Sequence, residues 1–313
     1  MLNLFSPLTL GRIRLPNRIV LAALPSGHAV PGGFAGSDLV RYYLACARGG
    51  PGMLVIEPTY VLAPTDGTAP HLGLYDDAYI PELRRCISTA RQAGPAVLVM
   101  LDQPLQLAGL DSRAIGAIGE AFVAAAWRAR AAGADGVMFS CADGGPFAQL
   151  VSPLSNQRTD RYGGSLDGRL RLLLEVVEGI GARKAGAFIV GVRLNAEEFA
   201  PGGLTLHDAR VIAQWLAGAG VKLLEVSAAI GPDTPIARFP GWCVPLAAAI
   251  KAVVDVPVMV GGLSEDVSLV NNVIREGSAD LVALGEVLRA RPDWPRYAWA
   301  TLIQSGAGAL RTG

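Results

Sequence analysis

The sequence is short of most residues that mark a metalloprotein, a disulfide-stapled domain or a nucleic-acid binder. Its 313 residues include three histidines and four cysteines. Cys46, Cys86, Cys141 and Cys243 stand far apart, with no C-x₂-C pair and no histidine beside them. That spacing excludes a zinc knuckle or an iron–sulfur set and reads as free thiols in a reducing compartment. There is no surplus of charge: 27 Lys and Arg balance 27 Asp and Glu. A neutral chain leaves no electrostatic footprint for nucleic acid or an anionic membrane. Long apolar runs are missing too, although 51% of residues are hydrophobic, because Gly, Pro or a charge interrupts each one before it could span a bilayer. The opening MLNLFSPLTLGRIRL lacks the basic, apolar and small-residue regions of a signal peptide. The expected compartment is therefore the cytoplasm. No low-complexity tract or linker appears, so 1–313 is expected to form one domain.

What is present is repetition. Short β-type runs occur at 18–24, 53–57, 96–101, 136–140, 188–194, 223–227, 257–262 and 281–285. Several are apolar without alternation, as strands buried on both faces must be. Helical stretches separate them: 37–50, Tyr79 to Gly94, Ile115 to Gly133, Ser165 to Arg183, Thr205 to Gly220, Val244 to Val254 and Ser264 to Gly277. A last helix after Gly285 contains Pro292 and is expected to be irregular. Ahead of the first strand, SPLTLGRIRLPNR reads as a hairpin placed to close the N-terminal mouth. Eight evenly spaced βα units predict a single (β/α)₈ barrel, with a doubly wound open sheet as the runner-up.

Barrels of this kind carry their chemistry at the strand C-termini. The residues delivered there are Leu24, Pro25, Glu57, Met100 to Gln103, Ser140 to Asp143, Arg193, Glu225 to Ser227, Gly261, Gly262, Gly285 and Glu286.

One stretch is specific. GADGVMFSCADGGPFAQLVSPLSNQRTDRYGGSLDGRLRLLLEVV (133–177) resembles the signature region of old yellow enzymes, the FMN-dependent ene-reductase and NADH:flavin oxidoreductase family. LFSPLTLGRIRLPNRIVLA (4–22), YYLACARGGPGMLVIEP (42–58), PVMVGGLSED (257–266) and GSADLVALGEVLRARPDWP (277–295) resemble other units of the same family. The resemblance implies FMN, with NAD(P)H as reductant, a small-molecule substrate, and neither nucleic acid nor membrane as partner. A homo-oligomer stays open as the assembly.

Carried over position by position, the resemblance places Ala23, Leu24, Pro25, Pro58, Met100, Arg193, Gly261, Gly262, Gly285 and Glu286 around the cofactor. Arg193 matches the arginine that faces N1 and O2 of the flavin, where a fixed cation stabilises the reduced ring. Gly261, Gly262 and Gly285 match glycines whose amides approach the phosphate. Three positions depart from the pattern: Met100 replaces a glutamine, Pro25 a Thr or Cys, and Glu286 a phosphate-gripping arginine. The substrate-holding His-x-x-His or His-x-x-Asn pair reads Ser140 and Asp143, and the proton-donating tyrosine reads Gly145. An ionised Asp143 would repel an enolate oxygen, so a donor role requires its protonated form.

Bland alternatives stand beside each role. Arg193 either faces a flavin or pairs with Glu57, Glu225 or Glu286; Asp143 either serves the site or makes an Asp-Gly turn. His28, in the loop after the first strand, is the candidate substitute proton donor. The leading expectation is an FMN-binding oxidoreductase that moves hydride through flavin N5 to or from an unusual small molecule. The alternative is a flavin-free barrel using Asp143, Glu286 and His28 for isomerisation, cyclisation or elimination, and a non-catalytic homologue comes third.

Overall fold

The computed structural model describes residues 2–64, 71–142, 144–182, 186–229, 239–304 and 306. A hairpin opens the chain, β1 (Leu8–Leu10) against β2 (Ile13–Leu15), with Gly11 at φ +61 in its turn. Then follow β3 (Ile19–Leu21), β4 (Met53–Tyr60), a two-residue β5 (Leu72–Gly73), β6 (Ala96–Asp102), β7 (Gly136–Cys141), β8 (Ile189–Asn195), β9 (Leu223–Ser227), β10 (Val258–Val260) and β11 (Leu281–Ala283). Hydrogen bonding runs β3-β11-β10-β9-β8-β7-β6-β4 and returns from β4 to β3. The pairs are parallel, so eight strands close into a barrel and β5 extends β4 at the rim.

The barrel has an inner and an outer apolar layer. Inside, alternate residues of each strand meet: Val20, Met53, Val55, Leu98, Met100, Met138, Leu223, Met259 and Leu281 form one buried cluster. Leu10 and Leu15 of the hairpin belong to that cluster, so the hairpin plugs the N-terminal end as expected. The intervening strand residues face outward onto the helices, which accounts for runs that are apolar without alternation.

Helices α1 (Ser37–Arg48), α2 (Ile80–Arg91), α3 (Ser112–Ala131), α4 (Pro146–Val151), α5 (Leu166–Gly181), α6 (Leu206–Gly218), α7 (Val244–Lys251), α8 (Val267–Arg275), α9 (Gly285–Ala290) and α10 (Trp294–Gln304) follow the strands. Their starts are chemically marked. Asp111 caps α3, Ser165 caps α5, a Thr205–Asp208 capping box opens α6, and Asp266 caps α8. The irregular last helix is two helices, α9 and α10, parted around Pro292. Neither α4 nor β5 was expected from periodicity; with six and two residues they are too short to show one.

The family-like run 152–165 builds a clamp outside the barrel. Asn156 Nδ2 donates to the carbonyls of Leu150 (2.6 Å) and Tyr162 (2.8 Å). Arg158 donates to Leu110 O at 2.7 Å and pairs with Asp160, which also accepts from Ser112 Oγ at 2.6 Å. Arg169 ties Val151 O and Gly164 O, each at 2.9 Å. A Cβ on Gly163 would lie 2.1 Å from Arg158 O, and Gly164 has φ +72, so the glycine pair is required by space and by backbone shape. These bonds join α3, α4 and α5.

Candidate active site

Parallel register brings three polar residues into one row at the C-terminal end of the barrel. Ser140 on β7 lies opposite Arg193 on β8, and Arg193 lies opposite Glu225 on β9. Glu225 follows interior Leu223 by two residues, so it too faces inward. The Arg193 side chain is 12% exposed and that of Glu225 is 7% exposed. Arg193 Nε approaches Glu225 Oε2 to 3.1 Å, so Glu225 is its carboxylate partner among the described residues. The contact is an ion pair without hydrogen-bond alignment, and buried Oε2 has no aligned donor among the described residues. The other end of the guanidinium donates to Ala23 O at 3.5 Å. Ala23 follows β3, which is four strands away from β8 in either direction round the closed sheet. The guanidinium therefore lies across the barrel axis, above the methionines at 100, 138 and 259.

The remaining positions divide between this floor and the rim. Met100 is 1% exposed and sits in the interior cluster. The Ser140 hydroxyl donates to Ala142 O at 3.1 Å and accepts from Ala142 N at 3.3 Å. Glu57 is buried where β4 slips register between Ile56 and Thr59, and Pro58 occupies the same irregularity, where its missing N–H is harmless. Ser26 N donates to Glu57 Oε2 at 3.0 Å, and Glu57 N donates to Tyr43 Oη at 2.7 Å. Burial pushes the Glu57 carboxyl above its ordinary value, against the downward pull of hydrogen bonds that its oxygens accept from Ser26 and from the Tyr43 hydroxyl.

Pro25 is exposed, and Leu24 packs so closely on Gly285 that a Cβ there would lie 2.4 Å from Leu24 Cδ1. Around Gly261 there is room, since an added Cβ would find only Ala283 O at 3.9 Å. Gly262 adopts φ +71 with the Trp242 indole over it. Glu286 is exposed and pairs with Arg289 three residues on. His28 is exposed, its ring 5.4 Å from that of Tyr42 on α1. Asp143 lies outside the described residues.

Two residues gain a specific place only in the fold: Asp102, within the strand end Met100 to Gln103 already expected at the mouth, and Trp242, which was not foreseen. Asp102, at the end of β6, stands so close to Gly145 that a Cβ there would meet Asp102 Oδ1 at 2.5 Å. The Asp102 carboxylate thus takes up the space where a side chain at 145 would begin. Trp242, beside Gly262, is the other. The tryptophan in PGWC carries no motif, so only the fold reveals it. Among the described residues no group of three His, Cys, Asp or Glu is arranged to hold a metal, and no helix is long and apolar enough to cross a membrane.

The closed parallel barrel is a (β/α)₈ fold, and the half-buried Arg193 cation lies at the strand C-terminal mouth where such folds carry their sites. Residues 3–112 and 102–303 match the profile of the NADH:flavin oxidoreductase / NADH oxidase family, and the chain belongs to it. Enzymes of this family use FMN and NAD(P)H on small molecules. The NADH oxidase of Thermoanaerobacter brockii is 34% identical over 95% of this chain and 50% of its own length. The NADPH dehydrogenase of Halalkalibacterium halodurans is 30% identical over 95% of this chain and 94% of its own. The chain spans about half the length of the first of these, and 48% of a Desulforamulus reducens metal reductase. Among solved structures, a 2-naphthoyl-CoA reductase superposes with TM-score 0.88 at 21% identity, covering 97% of this chain and 52% of that one. Morphinone reductase superposes with TM-score 0.79 at 23% identity, covering 96% and 90%. At such identities these likenesses concern the fold.

Proposed function

We propose that this chain is an FMN-binding oxidoreductase that passes hydride between NAD(P)H and an unusual small-molecule substrate. The observation that carries the reading is the Arg193 guanidinium laid across the barrel mouth, 12% exposed and reaching Ala23 O. A flavin supplies hydride exchange at N5, and its reduced ring gains a negative charge that a fixed cation in a water-poor site offsets.

The residues present fit that group through fewer side chains than the family pattern uses. At the ring end, Arg193 supplies the charge while Met100 and Pro25 offer no donor. At the phosphate end, the space beside Gly261 admits a close backbone approach, and Glu286 is drawn outward by Arg289. Backbone amides and one cation would then hold the cofactor. Ser140 would present its hydroxyl to the substrate on leaving Ala142 O, and Asp143 would orient the same oxygen when protonated. With Gly145 and Asp102 where a tyrosine would stand, no described side chain matches the family's proton donor, and the substrate class would differ accordingly.

The flavin-free alternative needs Asp143, Glu286 and His28 to act together. It is the weaker reading, because Arg289 engages Glu286 at the exposed rim and His28 lies exposed beside Tyr42.

The test is a visible absorption spectrum of the purified protein, before and after incubation with excess FMN and removal of free flavin. Retained flavin bands that NAD(P)H bleaches are expected. A protein that stays colourless after FMN loading refutes the proposal.

A further inference from the structure

We infer that Glu225 is a positioning residue that partly cancels the Arg193 charge and so sets the reduction potential of the flavin held above it. The inference rests on the proposed FMN function and goes beyond it, since it concerns the drive of the reaction rather than its class.

Geometry and burial carry the argument. Register fixes Arg193 and Glu225 as direct cross-strand partners on β8 and β9. Their charges are 3.1 Å apart, at 12% and 7% exposure, where water screens little. Glu225 Oε2 is buried and lacks an aligned hydrogen-bond donor among the described residues. A carboxylate held for hydrogen bonding alone would be better satisfied, whereas this one acts on Arg193 mainly through its charge.

The consequence follows from charge balance. Hydride from NAD(P)H brings two electrons and one proton to oxidised flavin and leaves NAD(P)⁺, so the ring ends one unit more negative. Arg193 without Glu225 beside it would favour that product more. A carboxylate paired to the same guanidinium opposes it and lowers the potential. A low-potential flavin is harder to reduce and, once reduced, a stronger donor. It suits a substrate that is itself hard to reduce, or the reverse direction in which product returns electrons to NAD(P)⁺.

The experiment measures the midpoint potential of the FMN-loaded protein by dye equilibration, for the wild type, Glu225→Gln and Glu225→Asp. Glutamine keeps the shape and removes the charge. Glu225→Gln is expected to shift the ratio of reduced to oxidised flavin at fixed potential about tenfold toward reduced, about 30 mV upward for a two-electron couple. Glu225→Asp keeps the charge but draws it back by one methylene, so it should shift in the same direction by less. This variant carries the test if Glu225→Gln fails to fold. Equal potentials in wild type and a folded variant, with FMN retained by both, overturn the role of Glu225 and leave the proposed function standing. Failure of the wild type to retain FMN overturns both together.

Discussion

Replacing Arg193 with methionine would strand the Glu225 carboxylate in a pocket where its side chain is only 7% exposed. Removing one partner of a buried pair costs about 3–5 kcal/mol, because the remaining charge keeps its desolvation penalty and loses its compensation. With unfolding entropy of about 2 cal/mol/K per residue, a chain this long loses roughly 5–8 °C of melting temperature for that amount. Glu225→Leu should destabilise by a similar mechanism, softened because Arg193 also reaches Ala23 O. The double variant Arg193→Met/Glu225→Leu removes both charges and extends the apolar layer of Met100, Met138 and Met259 beneath them. It should melt within about 2 °C of the wild type, since an apolar replacement of a buried pair is commonly neutral or stabilising. Melting by circular dichroism and urea titration on all four proteins completes a double-mutant cycle. A double variant that loses the sum of the two single losses would refute the claim that the charges depend on one another.

Other consequences are open to simpler tests. Burial raises the Glu57 carboxyl, so its contribution favours folding below the unfolded pKa and is lost as pH rises through the folded one. Glu57→Gln should accordingly be neutral or stabilising at pH 8 and lose that advantage near pH 4, and a uniform loss across melts at both pH values would argue against a destabilising carboxylate. Gly163→Ala should cost more than about 2 kcal/mol or abolish soluble expression, because its Cβ would lie 2.1 Å from the Arg158 carbonyl; an unchanged melt would show that the turn can yield. All four cysteines are buried, and burial pushes the Cys141 thiol up to about 12. Native protein at pH 8 should leave all four unmodified by a chromogenic disulfide reagent and expose them on unfolding; fast labelling of the native state would contradict that burial.

Most of the barrel can be read in the chain, because a strand buried on both faces has to be a continuous apolar run and runs such as AVLVML leave little choice. The helix start at Thr205 could be read from its own residues, whereas the starts expected at Ile115 and Ser264 fall instead at the Asp111 and Asp266 caps. What depended on register was not legible. Sequence left Glu57, Glu225 and Glu286 as equal partners for Arg193, and only the pairing of β8 with β9 selects Glu225. The closure of β3 on β11 likewise decides that Leu24 packs on Gly285, a contact between the two ends of the chain. Asp102 against Gly145 depends on how the end of β6 meets the start of α4 at the mouth, and no local periodicity records that.

The clamp of Asn156, Arg158, Asp160 and Arg169 spends its hydrogen bonds on backbone carbonyls and neighbouring helices, away from the Arg193–Glu225 floor. The most recognisable text in the chain is therefore carpentry. A lineage can rewrite its mouth residues while the phrase by which it is recognised stays legible. Kinship inferred from that phrase transmits the frame of the barrel; the reaction has to be read from the short row of side chains at its mouth.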